Sequence, residues 1–328
     1  MHKMPSDASI PDGSKFVSPQ GKRAVKHGIR PNAASSVPDG DRKPPWLRVK
    51  LPWRSRYEAV QEIVRSHKLN AVCAESKCLN IAECWGRGTA TLMLMGSVCT
   101  LACKFCSVST GNPQGWLDPL EPLQVADAVA LRGLKYVVLT SVDRDDLRNG
   151  SGAHYAACIR AIHERSPQTA VEALTPDFSG NLGAAAAVHD AGLVTYAQNL
   201  ETVERMTRTV RVPRAGYRQR LDVLPFAKRH AVKTLTKTSL MLGLGETNAA
   251  VERTLDDVRG VHVDAVKLEK YRRPSSHHLS LQRFVTLHEF RHNRWLATGK
   301  GFLEAVAGPL VRSGYRAERV LERNNLGL

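Results

Sequence analysis

The chain has 328 residues, 42% of them hydrophobic, enough for one large buried core or two smaller ones. No apolar run approaches the ~20 residues that span a bilayer, and the N-terminus lacks the apolar core of a signal peptide, which excludes an integral membrane class and points to a prokaryotic cytoplasm. A net charge of +16 makes nucleic acid the first partner to consider, but aromatic content is only 6% and no helix-turn-helix, RNP or zinc-finger pattern occurs, so an acidic protein or an anionic small substrate accounts for the charge equally well.

Residues 1–43 are rich in Pro, Ser, Asp, Lys and Gly without an apolar period, and are expected to form a disordered tail. Order is expected to begin at the Pro44–Pro52 stretch, and Tyr57–His67 has helical spacing through Val60, Ile63 and Val64. Six cysteines then fall in two triplets, Cys73-x4-Cys78-x5-Cys84 and Cys99-x3-Cys103-x2-Cys106. Between them Thr91–Gly96 reads as a buried strand whose C-terminal end delivers Cys99.

Beyond the cysteines, strands and helices alternate. Helices are expected over Val125–Leu134, Ala153–Arg165, Leu182–Ala191, Tyr217–His230, Asn248–Arg259 and Leu287–Gly299. Strands are expected over Tyr136–Thr140, Val171–Leu174, Leu193–Tyr196, Lys233–Met241 and Ala265–Leu268, with Phe302–Ala307 as a terminal strand. Six strand–helix units in series predict a parallel sheet in an α/β fold; eight would close a barrel and six leave it open, while a doubly wound sheet gives the same string. In each case the functional loops belong at the C-terminal ends of the strands.

A structural zinc site uses four ligands, usually with cysteines paired as Cys-x2-Cys. Each triplet here offers three soft ligands and leaves one metal position open, which suits a four-iron cluster with an exchangeable iron. Buried free cysteines, disulfides or zinc are the ordinary alternatives, and two ordered triplets argue against them. The run Cys99-Thr100-Leu101-Ala102-Cys103-Lys104-Phe105-Cys106 resembles the cluster loop of radical SAM enzymes. With Cys73, Cys78 and Cys84 and the word Cys78-Leu79-Asn80-Ile81-Ala82-Glu83-Cys84-Trp85, the chain resembles the lipoyl synthase family from about Pro45 to about Tyr315.

That resemblance implies a partial (β/α)6 TIM-type barrel over 91–307, an N-terminal extension over 44–90 and a C-terminal segment over 308–328. It implies two 4Fe-4S clusters and S-adenosylmethionine (SAM) as cofactors. Cys99, Cys103 and Cys106 would ligate the SAM-binding cluster, whose electron cleaves the sulfonium to a 5′-deoxyadenosyl radical. Cys73, Cys78 and Cys84 would ligate an auxiliary cluster, with Ser313 of Arg312-Ser313-Gly314-Tyr315 as its fourth ligand. SAM contacts would come from Phe105, Thr140, Ser141, Asp143, Asn199, Lys237, Gly243 and Gly245, and the Pro274–Leu279 loop with its His277 and His278 would lie near the substrate. For the hydroxyls and Asp143, helix capping is the everyday alternative, and Cys158 reads as a small buried hydrophobe.

The implied reaction inserts two sulfur atoms, at C6 and C8, into an octanoyl group on a lysine of an acidic carrier, consuming the auxiliary cluster. The implied partners are the E2 subunits of 2-oxoacid dehydrogenases, the glycine cleavage H protein, an electron donor such as ferredoxin or flavodoxin, and an iron–sulfur carrier protein, with the enzyme a monomer and neither nucleic acid nor membrane involved. The chain departs from the family at Ser97, Val98, Leu101, Gln198 and Gly314, and at Leu268-Glu269-Lys270-Tyr271, where a neutral Gly-Gln-Tyr stretch is usual. These departures keep open a diverged sulfur-inserting paralogue acting on another acyl substrate.

Overall fold

The computed structural model describes residues 10–18, 20–28, 44, 46, 70–71, 80, 83–84, 88–147 and 151–319. Cys73, Cys78, most of the Pro44–Pro52 arm and the helix expected over 57–67 lie outside these residues.

In chain order the strands are β1 (Lys15–Val17), β2 (Arg23–Val25), β3 (Asn70–Ala71), β4 (Thr89–Leu94), β5 (Val98–Cys99), β6 (Ser109–Gly111), β7 (Tyr136–Ser141), β8 (Ala170–Leu174), β9 (Thr195–Ala197), β10 (Leu235–Leu242), β11 (Ala265–Lys270) and β12 (Glu304–Gly308). The α-helices are α1 (Glu121–Arg132), α2 (Gly152–Arg165), α3 (Leu182–His189), α4 (Thr207–Val210), α5 (Tyr217–His230), α6 (Asn248–Gly260) and α7 (Leu287–Gly299). Helix α1 starts four residues ahead of the expected Val125 because a proline in its first turn is preset for helix, and it stops where Gly133 turns left-handed (φ 56°). Side-chain caps fix other starts: Asn181 accepts from the Ala184 amide (3.1 Å), Thr247 from Ala250 (3.2 Å), and Thr286 forms a capping box with Glu289.

The large sheet has the order β12-β11-β10-β9-β8-β7-β4-β3. All neighbours run parallel except β3, which is antiparallel to β4. Six strand–helix units followed by β12 therefore build the open, partial barrel expected from the alternation. Val137, Leu139, Val171, Ala173, Tyr196 and Leu240 face the helices and form one apolar core with α1–α3, α5 and α6. Helices α2 and α3 approach closely enough that a Cβ on Gly152 would lie 2.6 Å from the Ala184 carbonyl oxygen.

The opposite, lumen face is polar. Period-two alternation puts Tyr136, Glu172, Thr195, Lys237, Lys267 and Glu304 there, and the 309–319 segment folds back over them. Tyr136 and Val138 pack against Ala317, and Thr89 donates to Glu318 (2.9 Å).

Within the stretch 1–43 expected to be a disordered tail, residues 10–18 and 20–28 carry regular structure. They form a β1–β2 hairpin whose Ala24 and Val25 pair with β6, which in turn pairs with β5. The hairpin thus joins the same small sheet as β5, the strand that carries Cys99, with β6 between them. Local composition missed it because its partners, Thr110 and Gly111, lie more than 80 residues downstream.

Candidate active site

The site begins where β4 ends. Met95 (φ 66°) and Gly96 (φ 86°) both adopt left-handed backbone and throw the chain sideways into β5 and the cysteine loop. Glu121, the first residue of α1, holds that turn: both its carboxylate oxygens lie 2.9 Å from the Met95 amide. His154 on α2 contacts Glu121 at 2.6 Å, and the buried Arg144 bonds Asp146 through two parallel contacts (2.7 and 2.8 Å) and reaches the Met95 carbonyl. Sequence reasoning missed this brace. Glu121 reads locally as an ordinary helix-start acid, and Cys158, which lies beside Glu121 and His154, stays a buried thiol whose pKa burial pushes up.

Residues 99–106 are gripped from several elements. The Cys99 thiol accepts from the Asp143 amide (3.2 Å), and the Thr100 amide donates to the Asp143 carbonyl (3.0 Å). The Thr100 hydroxyl lies 3.1 Å from the Asp143 carboxylate. Lys104 donates its amide to Val210, Arg214 donates to the Thr100 carbonyl (2.6 Å), and His278 meets the Cys106 carbonyl (3.0 Å). His278 therefore braces the cysteine loop. The Cys106 amide turns back to the Cys103 carbonyl (3.1 Å), and Cys99, Cys103, Phe105 and Cys106 share an apolar nest with Leu101, Val212 and Ala215. Leu101, one of the departures, is part of this water-excluding wall.

The mouth above this loop is densely charged. Burial, then Asp145 and Asp177, push the Asp143 carboxyl up to about 7. Asp177 pairs with the buried Arg220 (3.2 Å). Arg211 is 5% exposed, its guanidinium stands 5.7 Å over the Phe105 ring, and its Nε and Nη1 atoms have no hydrogen-bond partner among the described residues. A buried guanidinium with undirected donors, close to Cys103 and Glu201, is a ready receptor for an anion. Nothing in the local sequence marks it; it is one of many arginines.

The other residues singled out by sequence divide between the mouth, the lumen and the core. Thr140 lies on the lumen face, in register with Met93. Ser141, one residue on, is in register with the core residue Leu94 and turns to the helix side, where its hydroxyl has no partner among the described residues. Asn199 is buried at the mouth and donates to Glu201 (3.1 Å). Gly243 (φ 102°) and Gly245 (φ 107°) need their glycines, and a Cβ on Gly243 would lie 2.9 Å from the Arg283 carbonyl oxygen. The Gly243 and Leu244 amides are already taken by Glu246 (2.7 and 2.9 Å), so this turn is a rigid wall. Gln198 is fully buried, and its amide atoms have no hydrogen-bond partner among the described residues.

Lys237 lies well below the mouth. It forms a buried ion pair with Glu172 and donates to the Ser313 carbonyl (3.2 Å). Lys267 donates to the same carbonyl (3.0 Å) and to that of Tyr315 (2.7 Å). Burial and the neighbouring Lys237 pull the Lys267 amine down to about 7. Arg312 bonds Glu269 (3.2 Å) and the Lys270 carbonyl (3.0 Å), and burial raises the Glu269 carboxyl to about 7. Lys237 thus contacts the Ser313 segment, a location its sequence position does not reveal.

Cys84 is buried, and Asn80 and Glu83 ahead of it tie this part of the chain to residues on either side of Ser313. Asn80 donates to the Leu310 carbonyl, while Glu83 accepts from the Tyr315 hydroxyl (3.1 Å) and from Arg316 (2.6 and 2.9 Å). Cysteine and serine, 229 positions apart in sequence, are thereby carried on two turns that touch. Among the described residues no cysteine is in a disulfide.

The Radical SAM superfamily profile matches residues 93–258. The chain is 55% identical over 327 residues to the lipoyl synthase of Ectopseudomonas mendocina, covering 98% of this chain and 93% of that protein. It is 54% identical over 320 residues to that of Marinobacter nauticus, covering 97% and 92%. Among solved structures, methylornithine synthase superposes with a TM-score of 0.51 at 13% identity over 80% of this chain and 85% of that one. The FeFe-hydrogenase maturase HydG gives 0.53 at 11% identity over 81% and 67%. These two likenesses are of fold alone.

Proposed function

Since the chain belongs to the lipoyl synthase family of the radical SAM superfamily, and so inserts two sulfur atoms into a protein-bound octanoyl group, we infer from its residues how that work is divided. The observation that carries the reading is the pairing of two sulfur-bearing turns with one lumen: the Cys99–Cys106 loop at the mouth, and the Cys84 turn stapled to the Ser313 segment.

Cys99, Cys103 and Cys106 are the ligands of the SAM-binding 4Fe-4S cluster; Cys73, Cys78, Cys84 and Ser313 are those of the auxiliary one. The donor chemistry fits. Three thiolates in an apolar nest suit a cluster with one open iron, and a serine oxygen is a harder, more labile fourth ligand than a thiolate. When bound, the first cluster and SAM supply the hydrogen-abstracting radical, and the second supplies sulfur, which no side-chain acid or base could place on an unactivated C–H bond.

The protein's own residues bind and orient. Arg211 directs its two unpartnered donors to the SAM carboxylate, and Asp143, laced to Thr100, accepts from the SAM ammonium. Phe105 and Leu101 keep water from the cluster, Thr140 and Asn199 line the way down, and the Gly243–Glu246 turn presents a flat backbone to the adenine. The excess of Lys and Arg steers acidic octanoylated carriers, the E2 and H proteins, to the mouth. A ferredoxin or flavodoxin supplies electrons, an iron–sulfur carrier renews the auxiliary cluster, and the enzyme works as a cytoplasmic monomer. Among the described residues, no helix is long and apolar enough to cross a membrane.

Anaerobic reconstitution tests the reading. It predicts about eight irons per chain, two clusters of four, and thiolation of octanoyl-lysine in H protein seen by mass spectrometry. Ser313→Ala should alter the auxiliary-cluster spectra and abolish sulfur insertion while SAM cleavage persists. Four irons only, or unthiolated carrier with full SAM cleavage in the wild type, would overturn it.

A further inference from the structure

The lumen carries a charged set that the reaction chemistry does not call for. Lys237 on β10 and Lys267 on β11 are each 1% exposed, and both donate to the carbonyl of Ser313, at 3.2 and 3.0 Å. Lys267 also donates to the Tyr315 carbonyl at 2.7 Å, so the two amines fix the backbone on either side of Gly314. One strand position further along the same face, Glu269 accepts from Arg312 (3.2 Å), the residue just before Ser313. Gly314 completes the fit: a Cβ there would lie 2.6 Å from the Thr91 hydroxyl. Glu269 and Gly314 are two of the places where this chain departs from its family's usual residues, and both meet at Ser313.

We propose that Lys267, with Lys237 and Glu269, is a positioning residue for the serine ligand: the three hold residues 312–315 from below and leave the Ser313 side chain free to face the Cys84 turn. This rests on the reading of Ser313 as an auxiliary-cluster ligand. Lysine amines suit the task because each offers more than one N–H donor and needs no matching side chain on the segment. Two amine donors on one carbonyl hold the main chain while leaving the serine hydroxyl unused. A ligand whose bond to iron is made and broken over a catalytic cycle can then detach without the segment leaving the lumen.

The test uses the full-length, anaerobically reconstituted enzyme with Lys267→Met, Lys267→Arg and Ser313→Ala. Lys267→Met is chosen because Lys237 remains to pair with Glu172. Amide hydrogen exchange over residues 313–317 should accelerate at least tenfold in Lys267→Met, and the auxiliary-cluster iron spectrum should broaden into more than one species. The ratio of SAM cleaved to sulfur inserted should rise severalfold, with the SAM-cleavage rate changed less than twofold. Lys267→Arg should restore both exchange and spectrum. Unchanged exchange in Lys267→Met overturns the positioning role whatever the cluster does. An auxiliary spectrum unaltered by Ser313→Ala overturns the ligand assignment, and with it this inference, a result visible in that variant alone. A Lys267→Met protein that loses SAM cleavage along with sulfur insertion, unrescued by arginine, marks the lysine as merely structural and also refutes the proposal.

Discussion

Removing one charge from the lumen should be far more damaging than removing two. Glu172 is 0% and Lys237 1% exposed at the side chain, and Glu172 also accepts from the Tyr136 hydroxyl at 2.9 Å. Glu172→Gln leaves the buried Lys237 amine without its ion-pair partner and the nearby Lys267 with one carboxylate fewer to offset it. Breaking a buried pair from one side costs about 3–5 kcal/mol, because the surviving charge stays desolvated. Glu172→Gln combined with Lys237→Met removes both charges at similar volume. The double variant should lose only the Lys237 contact to the Ser313 carbonyl, about 1 kcal/mol, plus minor repacking. The coupling free energy should therefore be at least about 2 kcal/mol. Urea unfolding of the iron-free, full-length chain, followed by circular dichroism, measures all three variants on one scale. Additive single-variant effects, or a Glu172→Gln cost below about 1 kcal/mol, would refute the idea that this pair is a desolvated, mutually dependent unit.

Arg211→Met should weaken SAM binding roughly 10- to 150-fold, the worth of charge-assisted hydrogen bonds of about 1.5–3 kcal/mol, while leaving iron content unchanged; equilibrium dialysis reads it, and an unaltered affinity would move the carboxylate elsewhere. Gly314→Ser should cost about 1–3 kcal/mol by overpacking against Thr91, and Thr91→Ala should recover most of that in thermal melts if the close approach is the cause. His189 is stacked on Tyr196, and burial lowers its pKa to about 4 from 6.5, with His230 adding to and Asp190 opposing the shift. Its neutral form is favoured in the folded state, so its contribution is intact above pH 6.5 and is lost as pH falls towards 4, up to about 3 kcal/mol. His189→Phe should flatten that acid limb of the unfolding curve, and an unchanged limb would show that histidine is not its source. Carrier association should slow as ionic strength rises, since a +16 chain steers an acidic partner through a screened field, and a salt-independent on-rate would remove steering from the account.

The sequence alone determined the cysteine spacing and the layered plan. Spacing is a local property, so the proposed ligands Cys99, Cys103 and Cys106 could be picked out from eight consecutive residues, and the strand–helix rhythm matched the six units of the parallel sheet. It also placed Asp143, Asn199 and Gly243 at strand ends, where loops converge. Only the tertiary structure decided what met what. Lys237 sits two strands and 65 residues from Glu172, and 76 residues from Ser313, so its sequence neighbours Thr236 and Thr238 carry no trace of either partner. Arg211 acquired its standing only when α4 brought it over Phe105, and the N-terminal hairpin became ordered only because β6 offered it an edge. Local pattern records which face a residue shows and which metal a thiolate prefers. The identity of a buried charge's partner is set by chain closure across the sheet, because desolvation forces each such group to find a counter-charge or carbonyl wherever the fold provides one.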